Sequence, residues 1–537
     1  MLNGAVAWPT QFAERYRRAG YWNGETLATL LREPARADRG RIAVVTARRR
    51  VSYAELDAWA DRLAAGLHRL GIAAGDRVVV QLPNGPDFLA LCVALFRLGA
   101  VPVLALPAHR QAEVGYLCEH TEAAALVVPD VLQRFDHREL AGEVAKAVPS
   151  LRHVLVAGDP GRHTALSDVT AEPTALPEPD PHDVAVLLLS GGTTGRPKLI
   201  PRTHNDYAFQ LRATAEAMGF TETGVYLAAL PAAHNAALGC PGVLGALRAG
   251  GRVALAATPS PDEVFPLIAA EGVTLTTLMP AFLPLWMQTA SLFQANLSRL
   301  VVEVGGAPLE PQLAERAERE LGCTLTRWFG MAEGLLSFTR PDEPAERRHR
   351  TEGRPLCEAD ELRVVGPDGV DVDRGEPGEL LVRGPYTIRG YYRAEEHNAV
   401  TFTEDGFYRT GDIVRMEPGG AMVVEGRIKD VINRGGEKVA PAELEEHLKA
   451  HPRVGDVAVV AVPDPTLGER TCAFVIAGGQ SPDGSAPLGL AELRDFLTGR
   501  GLAAYKLPDS LVLVDAFPYT PVGKVDKNAL RDRQPAR

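Results

Sequence analysis

Residues 53–70, YAELDAWADRLAAGLHRL, set Leu56, Trp59, Leu63, Leu67 and Leu70 three or four positions apart, the spacing of one apolar helix face. The period then changes. GDRVVVQLPN predicts a strand ending at Pro83, FLALCVALFRLGA an apolar helix, and AVPVLAL another strand. The alternation continues through AALVVP, HVLVAG, VAVLLL and GRVALAA. Short runs that are apolar throughout, set between helices, predict an α/β fold with buried, largely parallel strands.

Residues 360–430 read differently. ADELRVVGPDGVDV, GELLVRG and AMVVEGR are short strands divided by Gly- and Pro-rich turns, a β-rich subdomain. Beyond about residue 430, PAELEEHLKAH and LAELRDFLTGRGL predict helices, and GDVAVVAVPD and TCAFVIAG predict strands. The expected organisation is a large N-terminal domain of αβ layers with its β-rich subdomain, residues 1–429, followed by a small α+β C-terminal domain, residues 430–537. PEPDPHD (177–183) reads as a surface linker inside the large domain, and no internal repeat is visible.

Composition narrows the function classes. A chain of 537 residues exceeds one simple core, and 46% hydrophobic with 23% charged residues is ordinary for a globular protein. A formal net charge of −11 argues against nucleic acid as a partner. The six cysteines form no CxxC pair, so neither a disulfide scaffold nor a zinc ribbon is expected. MLNGAVAWPTQFAERYRRAGYW lacks the apolar run of a signal peptide, and no apolar run reaches the ~18 residues of a membrane span. The expectation is a cytoplasmic protein that binds no membrane.

The candidate chemistry starts at residues 190–198, SGGTTGRPK. Glycines allow close backbone approach, so such a loop aims several N–H groups and hydroxyls at one phosphate, with Arg196 and Lys198 adding charge. Glycines alone would mark only a turn; Ser190, Thr193, Thr194 and Lys198 make it an anion loop. A Walker A loop reads GxxxxGK[ST] and enters a helix. Here Pro197 precedes the lysine and KLIPRTH looks extended, so the loop joins two strands, which counts against a P-loop NTPase or kinase.

SGGTTGRPK after an apolar strand resembles the phosphate loop of the adenylate-forming superfamily, which holds acyl-CoA synthetases, luciferases and nonribosomal peptide adenylation domains. Further motifs follow in family order: YAELDAWADRLAAGL, VGGAPL (304–309), WFGMAEG (328–334), YRTGD (408–412), GRIKDVINRGGEKVAPAELE (426–445) and PVGKVDK (521–527). Together they span nearly the whole chain. The resemblance implies that ATP and Mg²⁺ convert a carboxylate to an acyl adenylate. It assigns Ser190, Gly191, Gly192, Thr193, Thr194 and Lys198 to the phosphates, and Gly306, Met331, Asp412 and Arg427 to the rest of ATP. Glu333 becomes the Mg²⁺ ligand, a role suited to one carboxylate among phosphates and waters. Lys524 becomes the catalytic lysine on a mobile C-terminal domain, Asp430 the hinge, and Lys438 a residue of the second, thioester-forming state. His204 is carried as a further catalytic residue. With all of these present, a catalytically dead scaffold is disfavoured.

Four stretches resemble the aryl-acid AMP ligases of siderophore and aryl-capped peptide synthesis: WPTQFAERYRRAGYW, LIPRTHNDY, FGMAEG and HNAALGCPG (234–242). By that resemblance His234, Asn235, Ala236, Cys240, Gly305, Gly330 and Leu336 line the acid pocket, and Asn235 contacts an ortho hydroxyl or amine. The chain departs from the subfamily at Ala236 and Ala237, which replace aromatic–Pro, at Cys240, where a hydroxyl is common, and at Leu336 and Ser337, which replace Val-Asn. Salicylate, 2,3-dihydroxybenzoate and a hydroxyanthranilate all remain open as the acid. No GxDS carrier motif follows residue 530, so the expected acceptor is the phosphopantetheine thiol of a separate aryl carrier protein. Free coenzyme A is the alternative.

Overall fold

The computed structural model describes residues 2–190, 196–306, 309, 311–428, 432–439, 441–478, 488–518, 525 and 527–531. It divides into two compact units. One comprises Met1–Pro107, Leu117–Leu189 and Leu199–Gly426; the other comprises Ala108–Tyr116, Ser190–Lys198 and Arg427–Arg537.

The first unit is built on two large sheets. Among the described residues, one runs edge to edge through Arg354–Pro355, Leu336–Phe338, Thr324–Gly330, Val301–Gly305, Leu275–Leu278, Val225–Ala228, Arg252–Leu255, Ile42–Val45 and Arg50–Ser52. Its strands from Thr324–Gly330 to Ile42–Val45 are mutually parallel, and the outer pairings are antiparallel. The other runs through Leu199–Thr203, Val184–Leu189, Val101–Leu104, Arg77–Val80, Ala125–Pro129, His153–Ala157 and Thr164–Ala165. It is parallel except where Val184–Leu189 meets Leu199–Thr203. The apolar runs read from the sequence are therefore buried strands, as a parallel sheet covered on both faces requires.

Local signals set the helices. Tyr53–Arg69 opens with a capping box: Ser52 Oγ accepts the Glu55 N–H while Glu55 accepts the Ser52 N–H. Pro86–Leu98 begins with proline, which has no N–H to leave unsatisfied, and stops at Gly99, whose φ of 70° bulkier residues resist. One helix was not expected. His204–Ala217 follows strand Leu199–Thr203 without a loop, because Thr203 and Asp206 form a second capping box at the strand's end.

The β-rich segment forms a sheet in the order Glu361–Val365, Gly378–Arg383, Tyr408–Met416 and Met422–Arg427. Opposite Glu379 and Leu381, strand Tyr408–Met416 carries two extra residues: Glu379 pairs with Ile413, but Leu381 pairs with Arg409. The resulting bulge holds Thr410, Gly411 and Asp412.

In the second unit, strands Glu437–Val439, Ile432–Arg434, Gly468–Ala477 and Val454–Asp464 lie side by side, and Ser510–Leu513 joins Gly468–Ala477 in parallel. Helices Pro441–Lys449 and Leu490–Gly499 bury Leu444, Leu448, Leu493 and Leu497 against this sheet. The guanidinium of Arg434 grips both carboxylate oxygens of Asp509 at 2.7 and 2.8 Å. Among the described residues, no helix is long and apolar enough to cross a membrane.

Candidate functional site

In the first unit, Arg202 organises the region that the motifs single out. This arginine is fully buried on strand Leu199–Thr203. Its Nε donates to Asp206 at 2.7 Å, its guanidinium donates to the Ala332 carbonyl at 3.0 Å, and a third N–H reaches Gln210 Oε1 at 2.9 Å. Gln210 in turn donates to the Gly239 carbonyl at 2.8 Å and lies 3.7 Å from Cys240 Sγ. Two side chains, Arg202 and Gln210, thus tie the FGMAEG turn to the HNAALGC loop. A buried guanidinium requires this full set of acceptors, and each acceptor is a point of fixed geometry.

The HNAALGC loop is pinned from several sides. Helix Asn235–Gly239 is capped by His234, whose Nδ1 accepts the Ala236 N–H at 3.3 Å. Tyr207 donates its hydroxyl to Asn235 Oδ1 at 2.8 Å, and Asn235 Nδ2 lies 3.7 Å from Cys240 Sγ. The amide is therefore oriented with its nitrogen toward Cys240, and Asn235 stays half-buried rather than enclosed. Cys240 is buried, which lifts its thiol well above the usual range; the nearby Glu303 carboxyl adds to the effect. Ala236 packs in the main core with Cys240 and Leu336, whereas Ala237 packs with Leu230 and Met279.

Asn84, unremarked in the sequence, shapes the approach to this loop. Its Nδ2 lies 2.8–3.2 Å from the carbonyls of Ala228, Leu230 and Ala256, and its Oδ1 accepts the Ala232 N–H at 2.7 Å. The only hint was its place after a buried strand, in QLPNGP.

VGGAPL and FGMAEG emerge from neighbouring parallel strands, Val301–Gly305 and Thr324–Gly330. Gly305 pairs with Trp328, and a Cβ there would stand 2.2 Å from the Trp328 carbonyl oxygen. Gly306 follows with φ of 78°. Gly330 closes against Leu336, whose Cδ2 would lie 2.5 Å from an added Cβ. Leu336 itself donates its N–H to the Tyr386 hydroxyl at 3.0 Å, and Tyr386 donates to Asp360 at 2.8 Å. Ser337 spends its hydroxyl on the Glu352 carbonyl at 2.9 Å.

Glu333 is buried in the turn after Met331, where its Oε1 accepts the Tyr391 hydroxyl at 2.7 Å; its carbonyl accepts the Ile388 N–H at 2.7 Å. Tyr391 lies 3.0 Å from the Tyr408 hydroxyl. Four residues on from Tyr408, within the bulge, Asp412 is buried at 3% exposure. Thr410 Oγ1 donates to the Leu380 carbonyl and accepts the Asp412 N–H at 3.0 Å, which fixes the bulge. Hydrogen bonds thus run from Glu333 through Tyr391 to Tyr408, on the strand that carries Asp412. A single fixed carboxylate with room for phosphate and water oxygens suits Mg²⁺.

His204 is placed differently from a group facing substrate. It is 1% exposed, its Nδ1 accepts the Leu27 N–H at 3.1 Å, and burial pushes its pKa down to about 4. A neutral ring with that partner holds the segment at residue 27.

In the second unit, Ser190 and Lys198 close the mouth of the glycine-rich loop: the Ser190 N–H donates to the Lys198 carbonyl at 2.9 Å, and the Lys198 N–H to Ser190 Oγ at 3.2 Å. The flanking strands pair Leu189 with Leu199, so the loop does join two strands. Lys438 lies half-buried on Glu437–Val439, opposite Asn433. Gly191, Gly192, Thr193, Thr194, Asp430, Lys524 and the side chain of Arg427 lie outside the described residues.

Comparison with known proteins extends these observations. The AMP-binding enzyme family matches residues 31–392, and the AMP-binding enzyme C-terminal domain matches residues 443–524. The chain is 54% identical to a 2,3-dihydroxybenzoate-AMP ligase of Bacillus subtilis, with 99% of this chain and 98% of that protein covered. It is 49% identical to a salicyl-AMP ligase / salicyl-S-ArCP synthetase of Mycobacterium tuberculosis, covering 98% and 94%. Among solved structures, apo MbtA of Mycobacterium smegmatis matches with a TM-score of 0.76 at 47% identity, over 99% of both chains. The chain belongs to the AMP-binding enzyme family and groups with its aryl-acid AMP ligases.

Proposed function

We propose that the protein activates an aryl acid bearing an ortho hydrogen-bonding group, using ATP and Mg²⁺, and passes the acyl group to the phosphopantetheine thiol of a separate carrier protein. The observation that carries this reading is Arg202. By holding the Glu333 turn directly and the Asn235–Cys240 loop through Gln210, it sets the proposed acid-recognition surface relative to the proposed metal carboxylate. Adenylation needs that relation, because two anions must be held together for attack. Mg²⁺ held by Glu333 would neutralise phosphate charge.

A carboxylate oxygen of the acid attacks the α-phosphorus of ATP, forming the acyl–O–P bond, and pyrophosphate leaves. The pantetheine sulfur, having lost its proton, then attacks the acyl carbonyl, and AMP leaves. Asn235 orients the acid: with Oδ1 held by Tyr207, its amide nitrogen remains to donate to an ortho oxygen or nitrogen. Asp412 holds the ribose, and Lys524 supplies positive charge near the reacting oxygens in the first step.

ATP–pyrophosphate exchange across benzoate, salicylate, anthranilate and 2,3-dihydroxybenzoate tests the reading. Plain benzoate should be used about 10–100-fold less well than the best ortho-substituted acid, because it offers no acceptor to the second N–H of the Asn235 amide and displaces the water that could. Equal use of benzoate and salicylate would refute the ortho requirement. Mass-spectrometric detection of acyl transfer, with a pantetheinylated aryl carrier protein and free coenzyme A as competing acceptors, decides the second step.

A further inference from the structure

Thr277, Glu303 and Thr326 stand side by side on three adjacent parallel strands, where Thr277 pairs with Glu303 and Glu303 with Thr326. All three are buried, Glu303 completely. Val302, Val304 and Leu325, at alternating positions, pack into the core on one side of the sheet. Glu303 and its neighbours therefore face the other side, where Tyr226, Cys240, Trp328 and Leu336 pack. That is the side of the candidate acid pocket.

A chain of hydrogen bonds enters this row and stops. Tyr226 donates to Thr277 Oγ1 at 3.0 Å, and Thr277 donates to Glu303 Oε2 at 2.9 Å. Among the described residues, Glu303 Oε1 and Thr326 Oγ1 have no hydrogen-bond partner. Burial lifts the Glu303 carboxyl to about 8, and it is near enough to Cys240 to raise that thiol as well. A role in packing alone does not account for a glutamate here, since an apolar side chain would fill the space without the cost of burying a carboxyl. Two adjacent orphan oxygens beside a pocket instead describe the place of a ligand group, and an N–H donated to Glu303 Oε1 would favour its ionised, accepting form.

We propose that Glu303, flanked by Thr326, is a specificity-determining residue that receives an amino substituent on the ring of the acid. The inference rests on the aryl-acid reading above. An aromatic amine carries two N–H donors, whereas a phenol carries one. Strands about 4.8 Å apart allow one nitrogen to reach acceptors on both. With Asn235 serving the ortho group, the acid has two polar substituents, at least one of them an amine.

The test compares kcat/KM in ATP–pyrophosphate exchange for salicylate, 2,3-dihydroxybenzoate, 3-hydroxyanthranilate and 3-aminosalicylate, in the wild type, Glu303→Gln and Thr326→Val. In the wild type an amino acid of this set should lead 2,3-dihydroxybenzoate by about 10–100-fold. In Glu303→Gln that lead should shrink at least several-fold. The Thr277 hydroxyl draws the amide oxygen toward itself, which leaves an NH₂ facing the substrate amine. Thr326→Val should shrink the lead as well, and it keeps the test decisive if Glu303→Gln does not fold. An unchanged amine-to-hydroxyl ratio in both variants, or no amine lead in the wild type, overturns the proposal. Failure of every aryl acid in the wild type refutes the aryl-acid reading itself, a different result from use of salicylate without an amine preference.

Discussion

Tyr391 donates its hydroxyl to Oε1 of Glu333 across 2.7 Å, from a segment 58 residues further along the chain. The pair holds the carboxylate of the GMAEG turn in one orientation before any ligand arrives. Tyr391→Phe should therefore leave a folded enzyme whose half-saturating Mg²⁺ concentration rises about tenfold or more, as loss of an orienting partner does at metal carboxylates. Mg²⁺ titration of pyrophosphate exchange at saturating ATP measures this; an unshifted curve would separate Tyr391 from the metal site.

Glu333→Gln should be the more severe change, because a neutral amide is a poor ligand for a hard cation. The expected phenotype is weak Mg·ATP use with a thermal midpoint close to that of the wild type. Full activity at ordinary Mg²⁺ would show that another group binds the ion.

Asn84→Ala tests the approach to the acid loop. Removing the amide strips the Ala232 N–H of its acceptor and three carbonyls of a shared donor. Stability should fall by about 1–3 kcal/mol. KM for the acid should rise more than KM for ATP, since the loop ahead of His234 loses its anchor. Denaturant midpoints and paired KM measurements give both values.

Asp360 supplies a pH test. The residue is half-buried, and desolvation of its carboxyl raises its pKa from 3.8 to about 7 although Tyr386 donates to it. Between those values the unfolded chain releases a proton that the folded protein keeps, so stability falls as pH rises from about 4 to about 7. The slope reaches at most about 1.4 kcal/mol per pH unit from this group. Asp360→Asn should remove that decline, so the variant gains on the wild type toward neutral pH. Parallel melting curves across this range would show the lines converging or diverging.

Lys524→Ala, argued from the PVGKVDK motif, should abolish adenylation yet leave acyl transfer from supplied aryl adenylate largely intact. Near-normal pyrophosphate exchange by this variant would contradict the assignment.

Much of the architecture was legible because its signals are local and repeated. Tyr53–Arg69 announces itself by apolar spacing and by Ser52–Glu55, and Val184–Leu189 by an unbroken apolar run. His204–Ala217 was not legible. Most of its residues are buried, polar ones such as Gln210 and Thr214 included, so no apolar stripe marks one face. Of the site, residues inside dense motifs, such as Glu333 and Asp412, were singled out by the resemblance of those motifs to the family. Arg202, Gln210, Asn84 and Tyr391 could not, because a single polar residue has no period and its partners lie far along the chain. Glu303 escaped notice for a related reason: one charge inside VVEVGG interrupts an apolar strand without showing which face it takes.

The two-residue bulge at Thr410–Asp412 has a consequence for how this surface can change over evolution. Side chains alternate along a strand, so an insertion of even length leaves every residue beyond it on its original face. Tyr408 and Val414, on either side of the bulge, both remain buried. A single inserted residue would have turned the remainder of the strand inside out. Asp412, the proposed ribose ligand, is therefore carried on a detachable segment, whose length and chemistry can drift in steps of two while the sheet beneath keeps its register.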